Sequence, residues 1–69
     1  MFAAVGGDGN RSVVWGMGTT ETAAVQEARA QDGFDGHALT TYQITEEQAA
    51  VVEAGDVSWP IVAASAEVR

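Results

Sequence analysis

R-S-V-V-W-G-M-G-T-T-E-T-A-A-V-Q-E-A-R-A-Q, residues 11–31, changes its hydrophobic period half-way along. Val13, Val14 and Trp15 are β-branched or aromatic, types that fit a pleated surface. Alternation puts Val13 and Trp15 on one face and Val14 on the other. From Thr20 onward Ala24, Val25 and Ala28 fall on one helical stripe, separated by polar residues. The stretch therefore predicts a strand over 11–16, a glycine-hinged turn over 16–19 and a helix over 20–31. Thr19 is the expected N-cap. Glu21 suits the positive end of the helix dipole and Arg29 the negative end. The stripe is nearly all alanine, so the helix must approach its sheet closely. Val13, Trp15, Tyr42 and Trp59 are the large groups expected to fill the layer.

Working outward, residues 2–5 form a short apolar strand and Gly6-Gly7-Asp8-Gly9-Asn10 a turn cluster. With the strand that follows they read as a β-hairpin over 2–16. Asp32-Gly33-Phe34-Asp35-Gly36-His37 is a loop, with Gly33 as a helix stop. Residues 38–44 alternate as a third strand. Thr45 and Gln48 have capping-box spacing, so a second helix runs from Thr45 to about Ala54, closed by Gly55. Ile44 and Ala49 occupy staple positions, and Ala49 and Val52 are the expected buried side. Val57-Ser58-Trp59 and Ile61-Val62-Ala63 read as a last strand interrupted by Pro60, hence at an edge. Residues 65–69 read as a frayed tail. The expected fold is α+β: one small domain over 1–69, ββαβαβ, a mostly antiparallel sheet with two short helices. A right-handed crossover through the first helix would lay strand three beside strand one.

A chain of 69 residues buries only about 60% of its unfolded surface and is marginally stable. With no cysteine it has neither a disulfide scaffold nor thiol chemistry. No basic start precedes an apolar run and no stretch is long enough to cross a bilayer, so neither signal peptide nor membrane is expected. The net charge of −7, from ten acids, three arginines and no lysine, repels nucleic acid and anionic lipid and attracts basic proteins. It also serves solubility.

The candidate chemistry is weak. Gly16-Met17-Gly18 sits where a dinucleotide fingerprint would, but Glu21 replaces the third glycine and would repel a phosphate. The two glycines read as geometric. Neither aspartate loop, 7–10 or 32–35, has calcium-binding spacing. His37 is the only histidine, two residues from Asp35, with no cysteine or lysine to work with. No enzyme, cofactor or metal is expected. What remains is an acidic set, Asp32, Asp35, Glu46, Glu47, Glu53 and Asp56, with Phe34 and Trp59 as apolar anchors an interface would want. Helix-surface neighbours lie about 5–6 Å apart, a spacing comparable to phosphates along a strand.

In size, in charge and in the strand–glycine–helix opening at residues 13–28, the chain resembles the small acidic proteins of phages and mobile elements, in particular the type I anti-CRISPR proteins. The resemblance implies a non-enzymatic inhibitor in the cytoplasm of a bacterial host. It would bind a basic subunit of a CRISPR surveillance complex, with carboxylates where DNA would lie. Two other readings stand beside it. One is an adaptor or subunit that buries Trp59 or Phe34 in a partner and uses charge only for solubility. The other is a small-ligand or metal binder. A monomer is the working expectation.

Overall fold

The computed structural model describes residues 1–8, 11–31, 34 and 38–65. In chain order it holds β1 (Phe2–Asp8), β2 (Arg11–Gly18), α1 (Glu21–Arg29), β3 (Thr40–Gln43), α2 (Glu46–Glu53) and α3 (Trp59–Ser65). The three strands form one sheet of order β2-β1-β3, antiparallel throughout. This is the expected α+β class, with strand three beside strand one. The order of elements is ββαβαα rather than ββαβαβ.

The hairpin is longer than its glycines imply. Gly6, Gly7 and Asp8 stay in β1, opposite Val13, Ser12 and Arg11. At the other end β2 continues through Gly16 and Met17 to Gly18, which pairs with Phe2. Because the strand runs on, α1 starts later than residue 20 and its N-cap is Thr20, not Thr19. The Thr20 hydroxyl accepts from Ala23 N–H at 3.1 Å. Glu21 and Arg29 lie in the first and last turns, as expected.

The register slips between Ala4 and Val5: Ala4 faces Gly16 while Val5 faces Val14. Trp15 is the extra residue of a β-bulge. The bulge decides which side chains share a face. Ala3 and Val5, with Val14 and Met17 opposite them, join the core under α2 and α3, which also takes Ile44, Ala49 and Val62. Ala4, Ala24 and Ala28 form a second cluster under α1, flanked by Phe2, Trp15 and Leu39. Strict alternation would have put Val14 and Met17 on opposite faces.

On the α1 face the layer is closed by backbone contact rather than by bulk. A Cβ on Gly16 would stand 2.4 Å from Ala28 N and 2.7 Å from Ala24 O. A Cβ on Gly18 would stand 2.6 Å from Ala23 Cβ. Alanine on the helix and glycine on the strand bring the two backbones together, so Gly16 and Gly18 are a helix seat inside β2, not a turn. Trp15 lies beside this seat, with Cδ1 at 3.0 Å from the Cβ position of Gly6. Its Nε1 is buried and has no hydrogen-bond partner among the described residues. Tyr42 and Trp59 do not fill this layer. They stack on each other on the opposite face, with centroids 4.6 Å apart.

The other face is built around a cap. Gln48 N donates to Thr45 Oγ1 at 3.2 Å, and Thr45 N donates to Gln48 Oε1 at 2.9 Å. Both halves of the capping box are made. Ile44 and Ala49, the staple positions, are both buried in the core below it, while Val52 is half-buried. Gly55 adopts φ +108°, its N–H bonds to Val52 C=O, and Asp56 N–H bonds to Val51 C=O. That is the paired-bond ending in which a left-handed glycine completes a helix.

The last segment is a helix, not a strand. Pro60 occupies its first turn, where a missing N–H breaks no helical bond and the fixed φ suits the geometry. Val62 N–H reaches Ser58 C=O at 2.9 Å to close that turn. The β-branched pair Ile61-Val62 read as strand, but burying Val62 completely against the sheet outweighs that propensity. Only Ser58 keeps strand character, through an isolated bridge to Val13. Gln48 ties the new helix to α2, donating from Nε2 to Ala63 C=O at 3.1 Å. Ser65 is not frayed: its Oγ donates to Val62 C=O at 2.7 Å. Gly33 and residues 66–69 lie outside the described residues.

Two stability tests follow from these contacts. Gly16→Ala should cost about 3 kcal/mol or more, since the added carbon meets helix backbone that cannot step aside. In a domain this small, thermal unfolding should register that as a drop of more than about 10 °C. Gly7→Ala is the control: among the described residues its Cβ would meet only Arg11 O, at 4.0 Å, and should change stability by less than about 0.5 kcal/mol. A Gly16→Ala protein that melts with its parent would mean α1 is not seated on this strand. In urea titrations Thr45→Ala should cost about 0.5–2 kcal/mol. Gln48→Ala should cost more, because it also orphans Ala63 C=O. Equal losses would show that the Gln48 to Ala63 bond contributes nothing.

Candidate functional site

Charge is divided unequally between the two sides of the sheet. Residues 38–65 contain Glu46, Glu47, Glu53 and Asp56 and no lysine, arginine or histidine. They include both helices of one face, so that face carries carboxylates without a compensating cation among its described residues. The α1 side is mixed, with Glu21, Glu27 and Arg29 on the helix.

Glu46, Glu47 and Glu53 are all exposed. Glu46 and Glu53 are seven residues apart, almost two full turns, and point the same way about 10 Å apart along the axis. Glu47 lies about a quarter-turn round from Glu46. The helix starts at Thr45, so Glu46 and Glu47 also meet the positive end of its dipole. Asp56 is different. It is half-buried and its Oδ1 accepts from Ser58 N at 3.3 Å, stabilising the turn into α3. Asp32 and Asp35 lie outside the described residues, as does His37.

The two expected apolar anchors are both engaged inside the chain. Phe34 is half-buried, its ring edge-on to Trp15 at a centroid distance of 5.4 Å and 69°. Trp59 is half-buried, packed against the core under α2 and α3 and stacked on Tyr42 at 24°. The exposed apolar groups are instead Tyr42 (41% exposed), Ile61 (53%) and Met1. In the sequence Tyr42 reads as a strand residue filling the layer under α1; its stack was not legible, because it depends on α3 being a helix that carries Trp59 beneath β3.

A second feature was not legible at all. A cleft of about 400 Å³ opens along the outer edge of β2, floored by Val14, Trp15, Gly16 and Met17 and walled by Glu27 and Gln31 on one side and Val52 and Val57 on the other. It exists because the bulge and the glycine seat hold α1 close to the strand while α2 covers the other face. Neither the bulge nor the helical α3 is marked in the sequence. Among the described residues no group of three or more His, Cys, Asp or Glu could hold a metal ion. No described helix is long and apolar enough to cross a membrane. Comparison with protein-family models, with curated proteins and with solved structures finds no match.

Proposed function

We propose that the chain is a non-catalytic inhibitor that docks the acidic face of α2 onto a basic nucleic-acid-binding protein and occupies its groove. The observation that carries this reading is the single-signed face: Glu46, Glu47 and Glu53 exposed on one helix, with no cation in residues 38–65. A surface of one sign concentrates field and steers encounter with its opposite. The likeness in size and charge to type I anti-CRISPR proteins names the class of partner, a subunit of a CRISPR surveillance complex in a bacterial cytoplasm. Phosphate mimicry needs carboxylates held at fixed spacing, and a helix capped at both ends holds them.

A second reading, an interaction adaptor, rests on Tyr42, stacked on Trp59, and on Ile61, both of which expose apolar surface. The two readings differ in salt dependence and in which substitutions matter.

The test uses a purified type I surveillance complex and its target duplex. The protein should block duplex binding, and the block should weaken as salt rises through the physiological range. Glu46→Lys with Glu47→Lys should slow association with the complex by roughly tenfold or more at low salt, leaving the melting curve near that of the parent. Tyr42→Ala and Ile61→Ser should leave the association rate unchanged. The reverse pattern, with charge reversal tolerated and Tyr42→Ala abolishing binding, would replace mimicry with the adaptor. Unimpeded duplex binding at saturating protein would exclude this partner class.

A further inference from the structure

We propose that the outer edge of β2 binds an extended segment of a partner protein, one that alternates apolar and basic residues and adds to the sheet as a fourth strand. The register supplies the first reason. Ile44 N–H bonds to Met1 C=O, so Met1, Ala3 and Val5 turn their backbone groups toward β3. Their partners in β2 must then point away from β1, at the free edge. Those partners are Met17 opposite Ala3 and Val14 opposite Val5. Val14 confirms the geometry, because its N–H leaves the sheet edge and bonds to Val57 C=O at 2.8 Å. Met17 N–H and C=O point the same way, and among the described residues nothing takes them up.

The chain therefore already adds a strand to this edge, but only for the two residues Val57 and Ser58. Because the pairing is antiparallel, on the Met17 side of Val14 the chain runs back from Val57 into α2, while α3 departs at the Ser12 end; beyond Val14 the edge opens into the cleft. The walls define what could continue it. Side chains of an added strand alternate between faces. Those turned toward the α2 side meet Val52, Val57 and Met17, an apolar wall. Those turned toward α1 meet Glu27 and Gln31, an exposed carboxylate and an amide. The sequence that matches is apolar at one parity and basic at the other. A second copy of this chain is a poor occupant, since each copy carries a charge of −7. This site is separate from the acidic face of α2 and stands without that reading.

The probe is a blocked hexapeptide alternating valine and lysine, added to the full chain and followed by amide hydrogen exchange and chemical shift. Binding should slow exchange at Met17 N–H and move the resonances of Val52 and Val57. Replacing alternate peptide amides with N-methyl amides, on the edge-facing parity, should weaken binding by about tenfold, the worth of one or two net hydrogen bonds. Glu27→Lys should weaken the valine–lysine peptide and favour a valine–glutamate one. Glu27 is exposed and the protein should stay folded, which the unchanged dispersion of the other resonances verifies. Equal binding by the N-methylated peptide would make the cleft an apolar pocket and overturn strand addition. Unaltered exchange at Met17 with saturating valine–lysine peptide would overturn the site.

Discussion

The contact between the α1 backbone and Gly16 and Gly18 is the constraint on which the rest of this small structure depends. A helix whose buried stripe is Ala24 and Ala28 has little side-chain area to offer a sheet. Its burial gains from contact between the surfaces themselves, which requires that they approach until their atoms touch. Glycines in the facing strand permit that approach, and a methyl group at either position would fall inside van der Waals range of the helix. In most strands two glycines would be a weakness, costing entropy and packing. Here the lost side chains are replaced by helix backbone. The bulge at Trp15 belongs to the same arrangement. It lets Trp15 and the glycine seat share a face while Val14 and Met17 serve the opposite core.

How much of this could be read from the sequence divides along the range of the interaction. The caps are local, and they were legible. Thr45 with Gln48 three residues on and Gly55 just past the end specify α2 without reference to anything distant. The alternation of Val13, Val14 and Trp15 gave their faces correctly for the same reason. The long-range choices were not legible. Nothing local marks Trp15 as the bulged residue, because a bulge is a property of the pair β1–β2. Pro60 was ambiguous in principle: it fits an edge strand or the first turn of a helix equally well. The outcome was decided by where Val62 could be fully buried and by Gln48 reaching Ala63 across to α3. The acidic residues of α2 were placed where the sequence put them, whereas Trp59 and Phe34 each found an aromatic partner inside the chain.

The two faces divide the labour in a way that bears on function. The α1 face is held by close packing of small groups and carries charges of both signs. The α2 and α3 face holds the larger apolar cluster beneath, and the charged side chains on its described helices are all carboxylates. A marginal domain tolerates concentrated charge of one sign only where the fold beneath is pinned by other means. Here the capping box, the left-handed Gly55 ending and the Gln48 crosslink provide the pinning, all of them hydrogen bonds that do not depend on Glu46, Glu47 or Glu53. Glu46 and Glu53 are exposed and take no part in that pinning, the condition an electrostatic docking surface has to meet.

The sheet's two edges carry the argument one step further. Open edges invite uncontrolled pairing, and proteins blunt them by shortness, charge or cover. β3 is four residues long and its outward-turned residues, Thr41 and Gln43, are polar, so that edge is protected by shortness. β2 is twice as long and apolar at Val13 and Val14. The chain covers it only where Val57 and Ser58 reach; on the Met17 side the backbone comes off α2 and leaves Met17 at the floor of a walled cleft. Glu27 and Gln31 on one side and Val52 and Val57 on the other wall this stretch, so whatever pairs with the edge must enter the cleft between them. An antiparallel strand continued past Ser58 would run toward Arg11, whereas Met17 lies on the side where the chain comes off α2. Pro60 limits pairing at the Arg11 end, where a strand continuing through it would lack a backbone N–H, and leaves the Met17 end to be shaped by the α2 side of the cleft.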